Sequence, residues 1–208
     1  MILGIVAAQA PGAPPAPTYA TFDPANKHAD IVLSGGNLTA TKAGTDALRS
    51  VRSTLGVSSG KHYWEITTIQ GGFNAPYMLL GVGTSGVNLA ASVGSNASGW
   101  SYYQETGQKY NNNIGAAFGA SWSNNDVVGI ALDMNTGSVW FSKNGVWQGG
   151  GDPAAGANPA YTGLSGLIYA YASLYRASGG YAHRVIANFG ATAFAHTVPA
   201  GFRAGLYS

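Results

Sequence analysis

The residues able to do acid–base or metal chemistry in this 208-residue chain are few and scattered: Asp and Glu together number 8, His 4 and Cys 0. Asp126 and Asp133 bracket one predicted strand, and seven residues of extended chain set them ~23 Å apart. That separation is too wide for a paired general acid and base, so both read as turn initiators. Glu65 sits inside a strand and reads as pairing locally. His28, His62, His183 and His196 are spread singly, with no i, i+2 or i, i+4 pair to open a local metal site. Asp133-x-Asn135-x-Gly137 has the opening of a calcium loop, but the fifth and twelfth positions, where that loop needs oxygen ligands, hold Gly137 and Asn144. A β-turn is the better reading. Without cysteine there is no thiolate zinc site, thiol nucleophile or disulfide. There is no Gly-x-Ser-x-Gly elbow in a strand–helix setting, and the Gly-rich segments read as turns rather than phosphate cradles ahead of helices. The chain reads as non-enzymatic, with no catalytic residue, metal or cofactor assigned.

Binding chemistry is better represented. Between residues 84 and 126, Gly, Ser and Asn alternate with Trp100, Tyr102, Tyr103, Tyr110, Phe118 and Trp122. Trp and Tyr offer large rigid faces at low entropic cost, which suits protein anchors or stacking on sugar rings. The competing reading is that such rings fill a core or hold long loops together. Trp100, Tyr102, Tyr103, Tyr110 and Trp122 form the candidate partner-binding set.

The elements that must position these rings are strands. In DVVGIALD (126–133), Val128, Ile130 and Leu132 share one face while Val127, Gly129, Ala131 and Asp133 share the other. Asn135-Thr136-Gly137 reverses the chain. In SVWFSK, Val139 and Phe141 oppose Ser138, Trp140 and Ser142. Asn144-Gly145 is a strong hairpin signal, since both central residues of the favoured turn need φ > 0, and Val146-Trp147 begin a returning strand. This meander reads as the centre of an antiparallel sheet. Upstream, IVLSGG, NLTATKAG and ALRSVRST read as short strands. GKHYWEITTI alternates His62, Trp64, Ile66 and Thr68 against Tyr63, Glu65, Thr67 and Ile69. MLLGVGT is apolar throughout, as in a strand buried on both faces. Apolar strands near 167–175 and 183–189 complete the sheets, and VPAGF (198–202) closes the chain.

These segments carry a resemblance. GIALD, a Gly-containing turn and VWFSKNG resemble the central signature of the SPRY domain. KHYWEI (61–66) and LGVGT (80–84) resemble its earlier strands, ASLY (172–175) and ANFGATAF (187–194) its closing ones, all in the family's order. The family's upstream Leu-Asp-Pro element is not evident. The resemblance implies a two-sheet antiparallel β-sandwich whose loops present a recognition surface and which does no chemistry.

Composition agrees with an all-β fold, since charged residues are 9% and Gly is 31 of the chain, too few charges for the outer faces of long helices. A net charge of +2 without basic runs gives no footprint for nucleic acid, which needs clustered cations to release counterions. No apolar run reaches the length of a membrane span.

Residues 1–17 read as an apolar arm, MILGIVAAQ, on a stiff proline-rich linker (11–17), and residues 18–208 as the sandwich. The arm's Met1, Ile2, Leu3, Ile5 and Val6 are candidate assembly residues that dock on a neighbour. A secretory signal ending at Ala8-Gln9-Ala10 and a disordered terminus are the alternatives. Low charge, no cysteine and abundant Ala, Gly, Ser, Asn and Thr are similar to the structural proteins of tailed bacteriophages. The functional expectation is therefore a virion component, a capsid decoration or tail or fibre protein. Its expected partners are other virion proteins or itself, with a host-surface glycan or protein as a further ligand. The alternative is a secreted or surface bacterial module binding glycan or protein.

Overall fold

The computed structural model describes residues 15–44, 47–69, 77–176 and 182–208. The arm residues Met1, Ile2, Leu3, Ile5 and Val6 lie outside them. Strands follow one another as β1 (Phe22–Lys27), β2 (Ile31–Ser34), β3 (Thr39–Lys42), β4 (Arg49–Val57) and β5 (Lys61–Ile69). Next come β6 (Leu79–Gly83), β7 (Gly99–Tyr103), β8 (Lys109–Asn111), β9 (Ile114–Ala116) and β10 (Val127–Asp133). The last are β11 (Ser138–Lys143), β12 (Val146–Trp147), β13 (Ile168–Leu174), β14 (Arg184–Asn188) and β15 (Arg203–Ala204). Among the described residues the helical content is one 3₁₀ turn, Gln148–Gly150.

Two sheets face each other, ordered β1-β4-β13-β6-β7-β8-β9 and β12-β11-β10-β5-β14-β3-β2, with β15 on β5. Pairing is antiparallel except for β15, which runs parallel to β5 at His62 and Tyr63. Strand alternation decides what lies between the sheets. Trp64, Ile66, Val128, Ile130, Leu132, Val139 and Phe141 from the second sheet pack into one core with Leu80, Val82, Ala170, Ala172 and Leu174 from the first. Each buried aliphatic side chain contributes roughly 1.5–3 kcal/mol.

The second sheet also buries part of its outer face. Tyr63, Ala131, Trp140 and Phe202 form a separate cluster, with Trp147, Phe194 and Val198 packed on it. The C-terminal segment thus lies over the sheet, with Phe194 edge-on to Tyr63 at 5.1 Å and Phe202 edge-on to Trp140 at 6.3 Å. Glu65 holds this cover in place. Its buried carboxylate accepts hydrogen bonds from the Tyr63 hydroxyl at 2.8 Å, the Ala195 N–H at 2.7 Å and the His196 N–H at 2.8 Å. Local pairing, expected for Glu65, holds for Tyr63; the two amides some 130 positions away were not expected.

Several sequence-based expectations are corrected. The β10–β11–β12 meander runs from the interior of its sheet to the edge, and the middle strand of that sheet's path is β5. Residues 84–126 are not all loop: β7, β8 and β9 extend the first sheet, and Asn112-Asn113 (φ 51° and 59°) close the β8–β9 hairpin. Both aspartates serve turns, Asp133 opening its own as expected and Asp126 closing the Ser123–Asp126 turn instead of initiating one. Asp133 Oδ1 accepts the Asn135 N–H at 2.9 Å, and Asp126 Oδ2 accepts the Ser123 N–H at 2.7 Å.

The Asn144-Gly145 hairpin has φ of 48° and 78°, as the tight turn requires. A β-carbon on Gly145 would lie 2.9 Å from His196 Nδ1. Gly145→Val is therefore expected to cost on the order of 1–2 kcal/mol for the left-handed backbone, with further displacement of His196, read as a lower urea midpoint. An unchanged midpoint would refute the tight turn.

Candidate functional site

The period of strand β7 divides the aromatic set. Trp100 and Tyr102 point inward with their partners Val82 and Leu80, whereas Ser101 and Tyr103 point outward with Leu79. Tyr102 is wholly buried among Phe118, Trp122 and Phe141, and its hydroxyl donates to the Ala120 carbonyl. Trp122 is buried in the same core, and Trp100 is half-buried against it. Tyr102 and Trp122 are core fillers; a side chain without exposed area offers no face to a partner.

Tyr103 and Tyr110 behave differently. They sit on the outer face of the first sheet, half-buried, with ring centroids 5.6 Å apart and planes perpendicular. Beneath them Leu79, Val87, Val93 and Tyr171 form a buried outer cluster. Segment 84–98 is tied down over this face by small polar residues of the strands. Ser50 Oγ donates to the Ala91 carbonyl at 2.6 Å, Ser173 Oγ accepts the Val93 N–H at 2.7 Å, and Ser101 Oγ donates to the Val93 carbonyl at 2.9 Å. Serines leave room for a loop backbone that larger side chains would exclude, so the segment is a fixed cap.

At the rim of this cap opens a cleft of about 200 Å³, lined by Leu48, Leu79, Ser92, Tyr103, Tyr110 and Asn113. Burial first, then a hydrogen bond to Glu105, then the neighbouring phenols of Tyr77 and Tyr110 push the Tyr103 hydroxyl far above the ordinary phenol range. It stays a neutral donor, bonded to Glu105. Tyr77 in turn stacks edge-on with Tyr175 at 5.0 Å. The surface is therefore tyrosines over aliphatic carbon. Tyr77, Tyr175, Leu48 and Leu79 were not singled out from the sequence; only strand register brings them together.

Elsewhere the charged residues form ion pairs, as where Lys42, Arg49 and His28 gather on Asp30 at 3.1, 3.5 and 3.7 Å. Among the described residues no three His, Asp or Glu side chains are grouped as metal ligands. Asp133 pairs with Lys61 at 3.2 Å, and Asp126 with Lys143 at 3.3 Å. Burial raises the Asp126 carboxyl, but hydrogen bonds from Asn144, the Ser123 amide and Lys143 outweigh it and leave it below the ordinary carboxylate range. No helix among the described residues is long and apolar enough to cross a membrane.

A sequence profile of the SPRY domain matches residues 61–179, more than half of the chain. The chain belongs to the SPRY family. SPRY domains are in general non-catalytic modules that mediate protein–protein interaction. Ran-binding protein 9 of Xenopus tropicalis is 29% identical over 137 residues, covering 62% of this chain and 25% of that protein. The Xenopus laevis protein of the same name matches equally, at 29% over 137 residues. The chain thus spans about a quarter of the length of these relatives. Among solved structures, the SPRY domain of human HERC1 superposes with a TM-score of 0.59 at 18% identity, covering 80% of this chain and 96% of that one. Stonustoxin gives a TM-score of 0.58 at 23% identity over 82% of this chain and 27% of its own. At these identities the two structures speak for the shared sandwich fold.

Proposed function

We propose that this SPRY domain binds a peptide segment of a protein partner in the tyrosine cleft on the outer face of the first sheet. The observation that supports it is the Tyr103–Tyr110 pair, held at 5.6 Å over aliphatic side chains in a preformed cleft. Rigid, half-exposed tyrosines lose little entropy on binding and supply both apolar area and hydroxyls. The cap fixed by Ser50, Ser101 and Ser173 keeps the cleft from having to form at the moment of binding.

The test begins with peptides selected from a random display library against the wild-type domain. Titration of a selected peptide into Tyr103→Ala and Tyr110→Ala is expected to show Kd raised by about 30-fold or more, as for a hot-spot residue. Melting should change little, because both rings are half-exposed. Binding at wild-type affinity to both variants would show that the cleft is not the recognition surface.

A virion setting for this module is a separate proposal, resting on composition and on the arm. Deleting residues 1–17 tests it together with mass spectrometry of purified particles. The truncated domain is expected to melt normally yet to be missing from particles that contain the full chain. Incorporation at full copy number would refute the anchoring role of the arm, and absence of the full chain from particles would refute the setting.

A further inference from the structure

A larger pocket, of about 550 Å³, opens at the far end of strand β4 from the tyrosine cleft. Leu48 precedes that strand and borders the cleft, whereas Val57 ends it and borders the pocket. Nine residues of extended chain set the two roughly 30 Å apart.

The pocket's lining carries cations and hydroxyls, with no carboxylate among them: Ser58, Ser59, Lys61, His62, Arg203 and Tyr207 are its polar members. The cations differ in how far they are neutralised. Lys61 is bonded to the buried Asp133 at 3.2 Å. Arg203 has no carboxylate within ion-pair distance among the described residues. Its guanidinium carbon instead lies over the Tyr207 ring, 3.4 Å from the centroid, a separation too short for an edge-on approach of the N–H groups and therefore one of stacking. Stacking occupies the face of a guanidinium and leaves its in-plane N–H fork free, the part that matches a carboxylate.

The part of the lining formed by residues 58–62 is held rigid. The Gly60 N–H donates to Asn135 Oδ1 at 3.0 Å, the Gly60 carbonyl accepts the Met134 N–H at 2.8 Å, and His62 Nε2 lies 3.0 Å from the Ser59 carbonyl. Ser58 and Ser59 are exposed at its rim. An uncompensated arginine stacked on Tyr207 and sharing one pocket with two exposed serines is an arrangement for an anionic group. The volume has room for more than a single ion.

We infer that this pocket is a second recognition site, which takes carboxylate side chains of an acidic peptide segment through the stacked guanidinium of Arg203. It does not depend on the tyrosine cleft, so either site stands if the other fails. With basic residues scattered over the chain, a polyanion surface is the weaker match.

The test is a ¹⁵N–¹H NMR titration of the full chain with a blocked Gly-Asp-Glu-Asp-Gly peptide, its Asn/Gln counterpart and inorganic phosphate. The acidic peptide is expected to give saturable shifts confined to residues 58–62 and 201–207, weakening several-fold when salt is raised from 50 to about 300 mM. The amide counterpart should give none. Arg203→Gln should weaken binding at least fivefold. Ser58→Glu, which places a carboxylate at the exposed rim without touching the core, should abolish it; both variants should melt as the wild type does. Equal binding by wild type and both variants, or no saturable shift, overturns the proposal. Saturation by phosphate but not by the peptide overturns the assignment to a peptide partner.

Discussion

Replacing Glu65 by alanine is expected to lower the melting temperature by on the order of 10 °C. The carboxylate accepts three hydrogen bonds, from the Tyr63 hydroxyl and the Ala195 and His196 amides. Bonds to a charged acceptor contribute roughly 1.5–3 kcal/mol each and are not additive, so about 3–4 kcal/mol is at stake. For a chain of this size each kcal/mol shifts the midpoint by about 2–4 °C. The loss should be registered first where the cover leaves the sheet: amide exchange at Ala195 and His196 should accelerate before the core opens. Glu65→Gln keeps the shape but turns an –NH₂ toward donors, and should recover only part of the loss. Wild-type melting of the alanine variant would show that Phe194 and Phe202 alone hold the segment.

Mild acid is expected to destabilise the domain through His183. This side chain is 1% exposed, and burial pushes its pKa from 6.5 down to about 4. Between those values the unfolded chain binds the proton and the folded chain does not. The contribution is complete above about pH 6.5, declines as pH falls through the unfolded value, and is spent near pH 4. A shift of that span corresponds to roughly 3 kcal/mol. Carboxylates act lower. The hydrogen bond from Lys42 first, despite the opposing effect of desolvation, together with the charges of Lys42, His28 and Arg49, holds Asp30 below its ordinary value, and its contribution is lost only below about pH 4. His28, lowered by desolvation and then by the Arg49 charge, acts in the same direction, so urea midpoints of wild type measured from pH 7 to 4 should fall steadily, and those of His183→Gln should fall with a clearly shallower slope. Parallel slopes would show that another group carries the acid sensitivity.

How much of this was legible in the residues depended on whether the signal was local. The alternation in DVVGIALD and KHYWEI put Val128, Ile130 and Leu132 on one face and Trp64 and Ile66 on another, the faces that the structure turns into the core, and Asn-Gly marked its turn, because a face and a positive φ are properties of a few adjacent residues. The aromatic stretch was harder. Turn-forming Gly, Ser and Asn concealed strands of only three to five residues, so a two-residue period in GWSYY was read as loop. Taken as a strand, it would already have sent Tyr102 inward and Tyr103 outward. The leading strand β1 was missed because Phe22-Asp23-Pro24 has Phe where the expected tripeptide has Leu. The Glu65 clamp and the partners of Tyr103 had no local mark at all. They are made by residues far apart in sequence, and only the packing of the C-terminal segment and the strand register supplies them.

The backbone at the two margins of the sandwich is joined. Thr18 and Ser208 exchange N–H···O bonds at 3.2 and 3.1 Å, Ala20 donates to the Leu206 carbonyl at 2.8 Å, and the Tyr19 and Tyr207 rings meet at 5.1 Å. A domain entered and left at one point is a cassette: it can be set into a surface loop of a host protein without forcing the host's own chain apart. The same closure favours circular permutation. A short Gly-Ser bridge from Ser208 to Thr18, with new termini cut at the exposed Ala155-Gly156 turn, would divide no strand of either sheet. Set into a host in this way, the unit would carry the proposed tyrosine cleft clear of the seam, whereas the proposed acidic-peptide pocket borrows Tyr207 from it and would sense how the ends are joined.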